Sequence, residues 1–458
     1  MKEFLPQRRN DATTIYPVSL ALSVVPLRRC GRKIVKLMIH RYTASDYLHF
    51  ARFYWRGRRR MQQWGKDFEA SVRDGSFKLR AAAVVQLIPT EACNLRCAFC
   101  NQWGDAGYFL AGSRKVESID ANAITSLISK LSPRDSMINV HGGEPFAYKE
   151  IDALLNALAE RDFDVLITTN GTLMKSHLSA VARIKNLAFI LSIDGDEATH
   201  DRVRGNGTYA RITEGLEALF NLRRELGLPA PLVVMSTVVS EWTADVIEKA
   251  YSTARELGVF MLNYNLRYYM PESAGVAYEK HLQDEFSLKS SGAWRGWIAP
   301  SHERHDYSET VTRLRRLLKQ KRLRLLPPYA VSGPSHLRGK DFDEWFSNYL
   351  NTFGNESCFM PFYWARIHAN GDLIFCPGHP DVIAGNVFRD GFMESFNSEM
   401  AVRFRKYILS NRMPICNRCC GLYMTNPARK FEQKARKNLG LPKEVTVHYP
   451  QITQIKSA

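Results

Sequence analysis

Apolar positions along the chain gather in short continuous runs, at residues 83–89, 137–141, 163–169, 187–193, 232–238 and 259–265. Between them lie stretches with apolar residues at helical spacing, near 121–131, 150–161, 176–184, 210–227 and 243–257. Regular exchange of strand and helix patterns predicts an α/β fold of parallel β/α units, with the chemistry carried on loops at the C-terminal ends of the strands. Periodicity alone fits either an open barrel of six units or a doubly wound sheet.

The flanks read differently. Thr43-Ala44-Ser45-Asp46 has the spacing of a capping box and predicts a helix start. The following Tyr47 to Trp64 mixes Phe50, Phe53, Tyr54, Trp55 and Trp64 with Arg52, Arg56, Arg58, Arg59 and Arg60. A basic, aromatic helix of this kind either packs its rings on a neighbouring domain or lies on an anionic bilayer. Glu309 to Leu326 repeats the pattern and runs into Pro327-Pro328, which would end it. The expected divisions are a basic N-terminal extension over 1–82, the β/α core over 83–265, a helical, substrate-contacting insert over 266–350, a cysteine-rich domain over 351–425 and a basic tail over 426–458.

The chemistry sits at the predicted strand ends. Directly after the first run stand Cys93, Cys97 and Cys100, spaced C-x3-C-x2-C. Three thiolates are one fewer than the four usual for a [4Fe-4S] cluster and would leave one iron open to another molecule. A zinc site or a group of buried thiols has the same sequence appearance. The second run leads into Gly142-Gly143-Glu144-Pro145, where two glycines allow close backbone approach and Glu144 can accept from an ammonium group. Two more strands end at Asn170-Gly171 and Asp194-Gly195. A later block holds Cys358, then Gly371 to Cys376, Gly385-Asn386-Val387, and Cys416, Cys419 and Cys420.

Together these motifs resemble the radical S-adenosylmethionine (radical SAM) enzymes, over about residues 83–425. The resemblance implies a partial (β/α)6 TIM-like barrel with a small C-terminal SPASM or twitch-like domain. It implies that Cys93, Cys97 and Cys100 hold a [4Fe-4S] cluster whose open iron is chelated by SAM. One-electron cleavage of SAM then gives a 5'-deoxyadenosyl radical that abstracts hydrogen from a substrate. By the same resemblance Phe99 lies near the adenine, Gly142, Gly143, Glu144 and Pro145 bind the amino group, Ser192 and Asp194 line the ribose, and Arg204 reaches the carboxylate. The C-terminal block implies one auxiliary [4Fe-4S] cluster on Cys358, Cys376, Cys416 and Cys419. Cys420 is an alternative to Cys419, and a zinc ribbon would suit the same four thiols. No cysteine follows Cys420, which argues against a second auxiliary cluster, and Cys30 reads as a bystander.

Family experience with such an extension implies maturation of a ribosomally made peptide, or radical modification of a sugar, lipid or other small metabolite. An electron donor such as flavodoxin or ferredoxin is implied too. A non-catalytic iron-sulfur electron carrier is a third class. His141, Tyr264 and Cys420 are candidates for proton or hydrogen handling at the substrate, with nothing in the sequence to select among them. No B12-binding domain is visible.

Charge adds one element. The net charge is +17, but residues 1–82 carry 18 basic against 6 acidic groups and residues 401–458 carry 12 against 2, so the core is mildly acidic and both ends are basic. Such ends suit an anionic substrate, an acidic peptide or the inner face of a membrane; no recognised nucleic-acid module accompanies them. The apolar stretch Ile15 to Leu27 contains Pro17 and Pro26 and lacks a clear cleavage site, so it is not read as a signal peptide. Thiolates reserved for metal imply a reducing compartment, and the expected location is cytoplasmic, with possible contact at the membrane face.

Overall fold

A computed structural model describes residues 41–299, 305–320, 329–332, 341–355, 357–376, 380–423 and 446–447. Cys30, the stretch 15–27, Pro327-Pro328 and most of the basic tail lie outside these residues.

The chain opens with helix α1 (Ala44–Arg73), whose predicted capping box is present: Asp46 accepts from the Thr43 backbone, and Thr43 Oγ1 accepts from the Asp46 amide. The core sheet follows as strands β1 (Val84–Leu87), β2 (Met137–Val140), β3 (Asp164–Thr169), β4 (Asn186–Ser192), β5 (Leu232–Val239) and β6 (Met261–Leu266). Helices α2 (Ala121–Lys130), α3 (Ile151–Glu160), α4 (Glu197–Arg204), α5 (Thr208–Glu225) and α6 (Ile247–Glu256) stand between them. Neighbouring strands pair in parallel from β1 through β6 in sequence order. That order winds the sheet one way and excludes the doubly wound alternative, in which the strand order reverses.

Four further strands lengthen the sheet beyond six units. After helix α7 (Glu272–Phe286) and helix α8 (Ser308–Gln320), β7 (Tyr329–Ser332) pairs in parallel with β6. At the other edge β8 (Trp364–Ile367) pairs in parallel with β1, then turns through His368–Gly371 into antiparallel β9 (Asp372–Ile374), which β10 (Ile383–Asn386) borders. The Gly371 to Cys376 stretch therefore runs along the main sheet as β9. Gly371 has φ +88°, and a Cβ there would stand 2.4 Å from the Phe388 ring.

Of the two settings expected for the aromatic, basic helix, the described residues show its rings packed on the neighbouring core. Phe50, Phe53, Trp64 and Phe68 of α1 are buried in the main core, and Trp64 Nε1 donates to the Phe362 carbonyl at 2.8 Å. Arg60 and Arg56 both engage Asp164, a fully buried carboxylate at the start of β3. Only Leu48 and Trp55 remain as large exposed apolar side chains of α1, with exposed Arg52, Arg58 and Arg59 around them. No described helix is long and apolar enough to cross a membrane.

Candidate cofactor site and the neighbouring cavity

The loop after β1 carries Cys93, Cys97 and Cys100, and the chain offers each sulfur one N–H donor. Leu95 N lies 3.5 Å from Cys93 Sγ, Trp103 N lies 3.3 Å from Cys100 Sγ, and Arg204 Nη1 lies 3.6 Å from Cys97 Sγ. Burial pushes the Cys93 thiol up to about 12 and raises that of Cys97, so binding metal there must displace protons. Among the described residues no three Cys, His, Asp or Glu side chains converge at the spacing one ion demands. Three thiols on one loop are the donor set of a [4Fe-4S] cluster with one iron left open.

The Gly142–Pro145 loop is laced to the backbone just before Cys93. Gly143 N donates to Thr90 O at 3.1 Å and Glu144 N to Ala92 O at 2.8 Å. A Cβ on Gly142 would stand 2.5 Å from Thr90 O, and one on Gly143 would stand 2.3 Å from Ala92 O. Gly143→Ala must force the two loops apart, and we expect it to cost about 2 kcal/mol or more; an unchanged thermal midpoint would show that the approach is not needed. Glu144 is wholly buried and accepts from Thr169 Oγ1 at 2.6 Å, Asn170 N at 2.7 Å and Phe146 N at 3.1 Å. Burial raises its carboxyl to about 7 in spite of these donors. Asn170 also joins β3 to the cysteine loop, donating to Asn94 Oδ1 at 3.0 Å.

Arg204, at the end of α4, is buried against Asp194, with Nε to Oδ2 at 2.6 Å. Its guanidinium lies over the Phe99 ring at 5.2 Å. Burial works against its charge, and Asp194 with Cys97 outweighs that and holds it protonated. Asp194 is held from two sides by the protein. It is fully buried, with Oδ2 on Arg204 and Oδ1 accepting from Val238 N at 2.8 Å, so it positions the arginine. Ser192 is half-buried at the end of β4, in register with Ser236. Trp242, 6.2 Å from Phe99, belongs to this group and carried no sequence signal.

Cys358, Cys376, Cys416 and Cys419 line one pocket whose other walls include Met360, Phe375, Phe404, Ile408 and Leu422. Burial pushes the Cys416 thiol up to about 12 and those of Cys358 and Cys376 well above their usual range. Cys420 hydrogen-bonds Cys419 and thereby favours the Cys419 thiolate. Cys420 itself is absent from that pocket and faces a second cavity, of about 200 Å³. This cavity lies between the first cysteine loop, at Asn101 and Gln102, the β2 end at His141, and the C-terminal cysteines. Of the three proton-handling candidates, His141 and Cys420 line it; Tyr264 is fully buried and donates to Ile247 O at 2.5 Å.

Two family profiles match the chain: the radical SAM superfamily over residues 87–254, and the SPASM iron-sulfur cluster-binding domain over residues 358–420. The chain carries a radical SAM domain and a SPASM domain. The first implies a [4Fe-4S] cluster and SAM, and the second an auxiliary iron-sulfur cluster. Among curated radical SAM relatives, GTP 3',8-cyclase of Stenotrophomonas maltophilia is 32% identical over 155 residues, 33% of this chain and 45% of that protein. The sporulation killing factor maturation protein SkfB of Bacillus subtilis is 24% identical over 174 residues, 38% of this chain and 39% of that protein. The matches thus span less than half of each relative. In fold the chain resembles Streptococcus suis SuiB bound to S-adenosylmethionine, with a TM-score of 0.52 at 16% identity, covering 83% of this chain and 79% of that one.

Proposed function

We propose that this chain reductively cleaves SAM and uses the resulting radical to abstract hydrogen from a substrate held in the cavity beside the first cysteine loop. The observation that carries this is the three-thiol loop, each sulfur with its own N–H donor, laced to a glycine loop and flanked by Arg204 and Phe99. When bound, the cluster and SAM together supply the electron transfer and the hydrogen-abstracting radical. Cys93, Cys97 and Cys100 would hold that cluster. Gly142, Gly143, Glu144 and Pro145 would shape the amino-group side of SAM, with Phe99 and Ser192 flanking it. Arg204, positioned by Asp194, would take the carboxylate. Cys358, Cys376, Cys416 and Cys419 would hold the auxiliary cluster, with Cys420 left on the cavity side.

We take a peptide as the substrate class. SkfB is named as a maturation protein, and SuiB, whose fold this chain shares, is described with its precursor peptide SuiA. The GTP 3',8-cyclases among the relatives keep a small metabolite as the second reading. Formation of 5'-deoxyadenosine from SAM under dithionite tests the activity, and none forming would defeat it. A short neighbouring gene whose product changes mass on incubation would support the peptide. Exposed Leu48 and Trp55 among arginines further support peripheral contact with anionic lipid. Co-sedimentation with phosphatidylglycerol vesicles is expected, and Leu48→Asp with Trp55→Asp should abolish it; unchanged sedimentation of that variant would count against the contact.

A further inference from the structure

The wall of the cavity holds a buried positive charge with no carboxylate of the described residues at ion-pair distance. Arg366, on β8, is 4% exposed and lines the cavity. One guanidinium nitrogen, Nη1, donates to the neutral Gln86 Oε1 at 3.1 Å, while Nε is buried with no partner. No carboxylate among the described residues lies within ion-pair distance of it. Glu91 is near, but its Oε1 is shared by His368 at 2.8 Å and Arg114 at 3.4 Å. One carboxylate therefore stands among two guanidinium groups. Leaving a buried cation unpaired is strongly unfavourable, so the geometry asks for an anion from outside the chain.

A second donor lines the same cavity. His141 Nδ1 lies 2.7 Å from Gly142 N and 3.2 Å from Gly142 O. The shorter contact makes Nδ1 the acceptor and leaves the ring proton on Nε2. Burial, with Arg366 nearby, lowers the ring's affinity for a second proton to about 3, so it stays a neutral donor.

We propose that the cavity selects its substrate by an oxyanion, a carboxylate or a phosphate, received by Arg366 with the His141 Nε2–H as second donor. This deepens the proposed function and rests on it for the word substrate; the anion site itself does not. A bidentate guanidinium suits either oxyanion. An acidic peptide would present the carboxylate and a phosphorylated metabolite the phosphate.

The test uses the full chain, anaerobically reconstituted, with glutarate and inorganic phosphate as probes in equilibrium dialysis. Arg366→Gln should weaken the preferred anion about tenfold or more, while Arg366→Lys, which keeps the charge, should weaken it less. Glutaramide, the same skeleton without charge, should not bind. Tighter glutarate supports the peptide form of the proposal and tighter phosphate the metabolite form. Equal anion binding by wild type and Arg366→Gln, or glutaramide binding as well as glutarate, overturns it. So does a shift of the auxiliary cluster's reduction potential in Arg366→Gln with anion binding unchanged, which would make the guanidinium a counter-charge to that cluster. Anion binding that persists in protein forming no 5'-deoxyadenosine would leave this site standing and remove the radical reading alone.

Discussion

Replacing Cys93, Cys97 and Cys100 together by alanine should abolish 5'-deoxyadenosine formation and lower iron from about eight to about four per chain, with sulfide in step. The reason lies in the separation of the two thiol sets. Cys93, Cys97 and Cys100 sit on the loop after β1, whereas Cys358, Cys376, Cys416 and Cys419 line their own apolar pocket. Losing the first set leaves the second intact. Four iron or fewer in wild type, or zinc in the second pocket, would mean that the C-terminal thiols hold something else. Cleavage surviving the triple substitution would take the chemistry away from this loop.

The second large effect concerns Asp194. Removing its carboxylate leaves the Arg204 guanidinium buried and uncompensated on that side, so Asp194→Ala should destabilise the cluster-free protein by about 3–5 kcal/mol. Combining it with Arg204→Met removes both charges. Stability should then recover by more than half, while SAM cleavage should not recover at all. A structural pair without a role at the cofactor would recover both. A loss below about 1 kcal/mol in the single variant would show that Cys97 or water supplies the counter-charge instead.

The contrast between Asp194 and Arg204 also marks where sequence reasoning stops. Both were legible as candidates, because each follows a recognisable strand end or stretch. Their mutual pairing was not, since it depends on how α4 folds back over the β4 end. Strands β1 to β6 were legible from their continuous apolar runs. β7 and β8 were not: β7 directly follows Pro327-Pro328, and β8 carries Arg366 in place of an apolar residue. Its partner β1 lies 280 positions earlier, so the cluster of Glu91, His368 and Arg366 exists only once those strands meet. Spacing likewise left Cys420 as an alternative to Cys419; packing puts Cys419 in the pocket with the other three thiols as well as at the cavity wall, and Cys420 at the cavity wall alone.

The pairing of β1 with β8 also sets a sequence in time. On a growing chain β1 can dock against β2 early, but its other edge stays bare until residues 364–367 leave the ribosome. The loop that bears Cys93 hangs from that half-covered strand. Pairings across so long a stretch are slow to form and leave an edge open to other chains meanwhile. Closure of that edge, and with it the Arg366 wall of the cavity, thus waits on synthesis of residues 364–367, which ties the two ends of the chain together at the cavity.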